Sequence, residues 1–275
     1  MAKPPEFLTK ICSVPGTDEP LAFTPDGTAR SAGGRRFRAV SGVPVLRDEP
    51  PFVVHKPVGP ASGGVPPDRI EHMESLPGYT LFLGAGNSNF RSPRVIEVEH
   101  DLFRDTDVVA DAHRLPFRSG AFDLFFAMNV FEHLEDPGRA AREALRVLRP
   151  GGEVHIHTAF LQPLHEAPAH YYNATEFGAR AWFRDFEDVD VHVSPNFNPL
   201  YSVAWLASDV IATIESQLGA TAARAIEGLT LGEVAGFWRR QAGWNPQAHA
   251  IFTALPEQAQ RATAAGFDLR ARKPS

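Results

Sequence analysis

The stretch Leu81-Phe82-Leu83-Gly84-Ala85-Gly86-Asn87-Ser88 constrains this 275-residue chain more than any other. An apolar run that stops at Gly-x-Gly reads as a buried strand meeting a turn of close backbone approach, because neither glycine carries a Cβ. Further apolar runs follow at 95–98, 107–110, 122–127, 153–158 and 189–193, with the first at 80–83. Their alternation with amphipathic segments predicts an α/β domain on a mainly parallel sheet. In such sheets ligands sit at the carboxyl ends of the strands. A helix is predicted over 136–148, with Asp136 as N-cap and Pro137 at its first position. Its apolar stripe is Ala140, Ala144, Leu145 and Leu148, and Pro150-Gly151-Gly152 ends it.

Two connections are too short for this pattern. Residues 87–94 and 100–107 give eight positions each, whereas a parallel crossover usually needs about a dozen or more and most often a helix. Both crossovers are therefore expected to be loops or single turns, leaving one sheet face thinly covered. The N-terminal stretch, or a second subunit, is the expected cover.

Residues 1–68 are expected to form a small β-rich module and linker, with strands at 21–23, 36–40 and 43–46 and a linker over 57–67. Residues 69–275 form the main domain. Helical spacing at 201–218, 231–240 and 256–265 predicts a helical cap over about 200–265, and 267–273 reads as a last strand. Trp205, Phe237, Trp238 and Trp244 fit an acceptor lining, a dimer contact or a core.

A nicotinamide-binding reading needs a third glycine at 89, where Asn89 stands, and an acidic residue about 20 positions on. Glu99 is closer than that, with no room for the helix. The residues that do recur in order are Glu99 (with Asp101 as competitor), Asp111-Ala112, Leu115-Pro116-Phe117, Phe122-Asp123, Glu132-His133-Leu134 and Arg146-Val147-Leu148-Arg149-Pro150-Gly151-Gly152. This series resembles class I S-adenosylmethionine-dependent methyltransferases. The resemblance covers about residues 79–195. It implies a Rossmann-like seven-stranded sheet with one antiparallel strand in its edge region, and S-adenosyl-L-methionine as cofactor; the helical cap read above is then a helical insertion near the C-terminus. It assigns Gly84 and Gly86 to the methionine part, Glu99 to the ribose (Asp101 competing, since the strand end is open by two residues), and Asp111 with Ala112 to the adenine. Asn129 falls at the end of the fourth strand, facing the transferred methyl, and Leu83, Ala85, Asn87 and Val130 are the other expected cofactor-binding residues. The chain departs from the pattern at Phe82, where many relatives carry an acidic residue, and at Ser88, where they carry glycine.

The N-terminal run resembles, more faintly, the zinc-ribbon heads of some such enzymes. Only Cys12 of four cysteines is present, with Pro15, Arg30 and Gly33 at the other positions. Since zinc takes about four suitable ligands, no metal is expected there. His165-Glu166 and His170 are five apart with Pro168 between them, not the four apart of a zinc-protease helix. That loop is read instead as the acceptor pocket. His165 and His170 are the candidate bases and Tyr171 a pocket residue. Tyr172 is placed with them, while His155 and His157 share a strand face.

The expected activity is methyl transfer to an O-, N- or C-nucleophile of a small molecule. A decayed fold acting as a binding or scaffold protein is the alternative, and an oxidoreductase on a related fold is a lesser rival. A net charge of −6 argues against nucleic acid and acidic membranes as partners. No apolar run approaches the roughly 20 residues of a membrane span, and no signal peptide is visible. A cytoplasmic protein, with a homodimer as one reading of its aromatic helices, is expected.

Overall fold

Before the glycine loop the chain forms α1 (Pro5–Ile11), β1 (Leu21–Phe23), β2 (Ala29–Ser31), β3 (Arg36–Phe37), β4 (Ala39–Val40), β5 (Val43–Leu46) and α2 (Pro67–Ser75). The computed structural model describes residues 3–47, 64–88, 90–193, 197–238, 245–260 and 263. Then follow β6 (Thr80–Leu83), β7 (Val95–Glu99), β8 (Val108–Ala110), β9 (Phe122–Met128), a 3-10 turn (Phe131–His133), α3 (Pro137–Val147) and β10 (Leu148–His157). Every residue of β6, β7, β8 and β9 is buried, as a parallel sheet covered on both faces requires. The expected N-cap is present, since Asp136 Oδ1 accepts the Arg139 N–H at 2.8 Å.

The seven strands lie in the order β10-β9-β6-β7-β8-β5-β4. β5 pairs parallel with β8, and β4 pairs antiparallel with β5. The antiparallel edge strand thus comes from residues that precede the glycine loop. Residues 189–193 carry no strand, and the expected strand 267–273 lies outside the described residues. β1, β2 and β3 form a separate three-stranded antiparallel sheet. β2 splits off where the sequence showed only turn residues between 23 and 36.

Both short crossovers are loops, as their length demanded. The expected cover is corrected. Strand residues alternate faces, so Leu81, Leu83, Ile96, Val98, Phe125 and Ala127 share one face. There they pack with Leu8, Ile11, Leu21 and Phe37 of the N-terminal stretch, and with Ala140, Ala144 and Val147 of α3. The opposite face, where the missing crossover helices would lie, holds Phe82, Val95, Leu124, Phe126 and Met128. It is covered by Met73 and Ile70 of α2, with Val65 and Phe90. α2 went unread because Pro66-Pro67 looked like linker.

The chain divides into two compact units, Met1–Phe160 with Ala169–Val191, and Leu161–Pro168 with His192–Ser275. The first also contains α4 (Glu176–Trp182). The second is helical: α5 (Pro199–Leu218), α6 (Ala220–Glu227), α7 (Leu231–Trp238), α8 (Pro246–Ala254) and α9 (Glu257–Gln260). Its small core is Ile214, Ala223, Ile226, Ala248 and Leu255. Among the described residues no helix is long and apolar enough to cross a membrane.

Candidate functional site

The carboxyl ends of four neighbouring parallel strands bring the cofactor candidates together. Leu83, the last residue of β6, is in register with Val98 of β7 and Ala127 of β9, and Glu99 with Val109 of β8. Gly84 and Gly86 then turn the chain with φ of +68° and +61°, a region that side chains other than Asn and Asp rarely enter. A Cβ on Gly84 would stand 2.2 Å from Cγ2 of Val130. The glycine is therefore demanded by the chain's own packing, independently of any ligand.

Glu99 closes β7 and turns its carboxyl into the loop, where Oε1 accepts the Gly86 N–H. Burial pushes this carboxyl up to about 8, against the pull of that hydrogen bond. Asp101, its competitor, instead places Oδ1 3.6 Å from the His100 ring. Beyond β8, Asp111 Oδ1 accepts from the His113 N–H at 2.9 Å and sits 2.7 Å from its Nδ1. The side-chain bond to His113 holds Asp111 at about 2. His113 Nε2 accepts the Asp136 N–H at 3.2 Å, which leaves the ring proton on Nδ1, facing Asp111. Ala112 beside it is buried. Sequence reading passed over His113, which is one of the two unspecified positions in the Asp111-to-Phe117 motif.

Asn129 follows β9 with φ +54°, which asparagine tolerates, and its N–H donates to the His157 carbonyl at 3.0 Å. Its Oδ1 is buried with no hydrogen-bond partner, as is Nδ2 of Asn87. An unsatisfied buried polar atom costs about 1–3 kcal/mol, so both atoms suit a polar ligand. Phe82 packs edge-on against Phe126 with centroids 5.0 Å apart, in the apolar cluster under α2.

The remaining signature residues hold the frame. Arg146 donates to the carbonyls of Phe117 at 2.6 Å and Leu115 at 3.0 Å. Asp123 accepts the Tyr79 N–H at 3.1 Å and pairs with Arg149. Buried Glu132 accepts the Thr158 hydroxyl at 3.0 Å.

The catalytic candidates divide between the units. His170 and Tyr171 lie in the first. The backbone N–H groups of Tyr171 and Tyr172 donate to the Glu132 carbonyl at 2.8 and 3.1 Å, tying this loop to the turn after Asn129. His170 Nε2 donates to the Tyr172 carbonyl at 3.1 Å. The Tyr171 hydroxyl donates to Glu135 Oε1 at 3.0 Å, which raises its pKa. His165 lies in the second unit, where Nδ1 donates to the Pro163 carbonyl at 2.8 Å and the ring rests 5.3 Å from that of Trp205. The side chains of Phe237 and Trp238, and all of Asn89 and Trp244, lie outside the described residues. Cys12 is buried, which pushes its thiol up, and among the described residues it belongs to no group of three metal-capable ligands.

The seven-stranded, mostly parallel sheet, with a glycine turn after β6 and carboxylates ending β7 and following β8, is Rossmann-like. Within it, residues 91–156 match the family model described as a methyltransferase domain. An uncharacterized methyltransferase of Mycobacterium sp. (strain KMS) is 43% identical over 77 residues, 27% of this chain and 29% of that protein. Malonyl-[acyl-carrier protein] O-methyltransferase of Hahella chejuensis is 38% identical over 78 residues, 27% of this chain and 28% of that protein. The chain thus spans under a third of the length of either of these two relatives. Among solved structures, Haemonchus contortus phosphoethanolamine N-methyltransferase 2, in complex with S-adenosyl-L-methionine, is similar with a TM-score of 0.36. That likeness has 17% identity and covers 68% of this chain and 48% of that one.

Proposed function

We propose that this protein transfers a methyl group from S-adenosyl-L-methionine to a small-molecule acceptor in the cytoplasm. The observation that carries this reading is the convergence of Gly84, Gly86, Glu99, Asp111 and Asn129 on adjacent strand ends. Two buried, unpartnered amide atoms in the same loops support it. The bound cofactor supplies an activated methyl; the protein supplies orientation and desolvation. Leu83, Gly84, Ala85, Gly86 and Asn87 would hold the methionine part, with Asn129 Oδ1 receiving its ammonium beside Val130. Glu99, rather than Asp101, would accept the ribose hydroxyls, and Asp111 with the Ala112 N–H would meet the adenine edge.

On the acceptor side, His170, whose Nε2 donates to the Tyr172 carbonyl, is one candidate base. Tyr171, held as a phenol by Glu135, shapes and orients rather than abstracts. His165 is the other candidate base, and separate alanine substitutions of the two histidines distinguish them. Loss of the true base costs about 10²-fold or more in turnover.

Titration calorimetry with S-adenosylhomocysteine and with NAD tests the cofactor. Wild type is expected to bind the former only, and Asp111→Ala to bind it about tenfold more weakly, as for one charge-assisted hydrogen bond. Tighter binding of NAD, or no binding of S-adenosylhomocysteine at millimolar concentration, would overturn the assignment. Binding without turnover on any acceptor favours the alternative, a fold retained for binding alone.

A further inference from the structure

His72 of α2 and Glu153 and His155 of β10 meet at the surface of the first unit, away from the glycine loop. His72 Nε2 lies 3.0 Å from Glu153 Oε2, and His155 Nε2 lies 3.2 Å from the same oxygen. The two imidazoles stack with centroids 5.1 Å apart and planes within 17°. All three ligand atoms fall within 4.8 Å of one another. Two nitrogens and one carboxylate oxygen are the donor set of a three-ligand zinc site whose remaining position is taken by water. Bonds of about 2.0–2.1 Å at tetrahedral angles put ligand atoms about 3.3 Å apart, so the two observed separations need only a few tenths of an ångström of movement.

We propose that His72, Glu153 and His155 form a binding site for Zn2+ or a similar divalent transition metal, clipping α2 to β10. α2 is the cover of the thin sheet face, and His72 lies one position before Met73, which packs on Phe82 and Phe126. A metal at this point would fix the helix against the edge strand without entering the cofactor site. All three side chains are about a third to a half exposed, so an ion has a path in and water completes its shell. The site was invisible in the sequence because His72 and Glu153 stand 81 positions apart, and only the helix-on-sheet packing joins them.

Two features weaken the affinity. His155 Nδ1 is buried with no hydrogen-bond partner, whereas strong sites give that nitrogen an acceptor whose loss costs about 10–100-fold. Arg69 also adds positive charge nearby. Without metal, the same geometry is two Nε2–H groups sharing one carboxylate oxygen, and metal binding displaces those protons.

Tag-free, chelator-treated protein should be titrated with Zn2+ against a competing indicator, and with Co2+ for its visible spectrum. One equivalent should bind with a micromolar Kd, and Co2+ should give the intense visible bands of a four-coordinate ion. His72→Ala, Glu153→Gln and His155→Ala should each weaken binding at least tenfold while remaining folded by circular dichroism, and His249→Ala should change nothing. Equal binding by wild type and all three variants, or no equivalent bound below about 100 μM by wild type, overturns the proposal. Because the readout is metal uptake, its failure leaves the cofactor reading standing, and failure of that reading leaves this one.

Discussion

Replacing Gly84 with alanine tests whether the glycine turn is set by the protein's own packing. The added Cβ meets two costs. At φ +68° a side chain costs about 1–2 kcal/mol. A 2.2 Å approach to Val130 Cγ2 is an overlap that must be relieved by movement, which costs about 1–3 kcal/mol in packed regions. The expected loss is about 2–5 kcal/mol, a large share of the 5–15 typical of a domain. Val130→Ala in the same chain removes Cγ2 and leaves Val130 Cβ as the nearest atom at 3.5 Å, an ordinary contact. The second substitution should therefore return the overlap portion and leave the backbone portion, a coupling of about 1–3 kcal/mol in a double-mutant cycle. Because the chain has two compact units, a single melting curve mixes them, and Trp182 and Trp205 report on different ones. Amide exchange within β6 and β7 reports on the first unit alone. A Gly84→Ala protein within 0.5 kcal/mol of wild type, or one that Val130→Ala does not rescue, refutes the argument. Stability regained without S-adenosylhomocysteine binding would show that the ligand, too, needs the bare backbone.

Burial raises both carboxyls of β7, Glu97 to about 7 and Glu99 to about 8, from an ordinary 4.5. A group whose folded pKa is raised stabilises the fold below its unfolded pKa and loses that contribution as pH rises through the folded value. Stability should therefore fall between about pH 5 and pH 8. Glu99→Gln, which mimics the protonated form and keeps the Gly86 bond, should flatten the slope and stabilise the protein at pH 9 by on the order of 3 kcal/mol. An unchanged urea midpoint profile across pH 5–9 would count against it. Removing residues 1–65 strips Leu8, Ile11, Leu21 and Phe37 from the sheet face and bares the edge of β8. Such a chain should aggregate, and a soluble monomer of equal stability by light scattering and urea titration would contradict the packing.

What the sequence made legible was periodic or punctuated. β5, β6, β8 and β9 fall within a residue of their expected bounds because their apolar runs end at glycine, charge or asparagine. α3 is read from Asp136-Pro137, and α5 from its spacing. α2 was missed because its two leading prolines mimic a linker, though proline is welcome at the first turn of a helix. The split of 36–40 into β3 and β4 follows a change of partner, from β2 to β5, which no local pattern records. The segment expected as a strand at 189–193 has alternating polarity, yet it carries no strand among the described residues. In the site, Gly84, Glu99 and Asp111 were legible by position along the strands. The grip of Arg146 on Leu115 and Phe117, and of His113 on Asp111, was not, since only tertiary contact joins them.

The two short crossovers also explain a cluster that the motif does not require. Where crossover helices would cover the sheet with apolar side chains, this chain buries Glu97 and Asp107 beside Arg91 and Lys3. Arg91 lies 3.3 Å from Glu97 and 2.9 Å from Asp107. Lys3 reaches within 4.0 Å of Asp107 and donates to the Ser92 carbonyl at 2.8 Å. Asp107 accepts the Glu97 N–H at 3.0 Å, and Ser88 donates to Glu97 at 3.0 Å. Two carboxylates against two cations leave no net charge, so partners and hydrogen bonds offset part of the desolvation cost, while burial still raises the pKa of Glu97 and lowers that of Lys3. An apolar replacement would need the helical length that residues 87–94 and 100–107 lack. The polar cluster is thus the short-loop solution to holding the glycine turn. It follows that Ser88 serves the cluster through Glu97 rather than the cofactor.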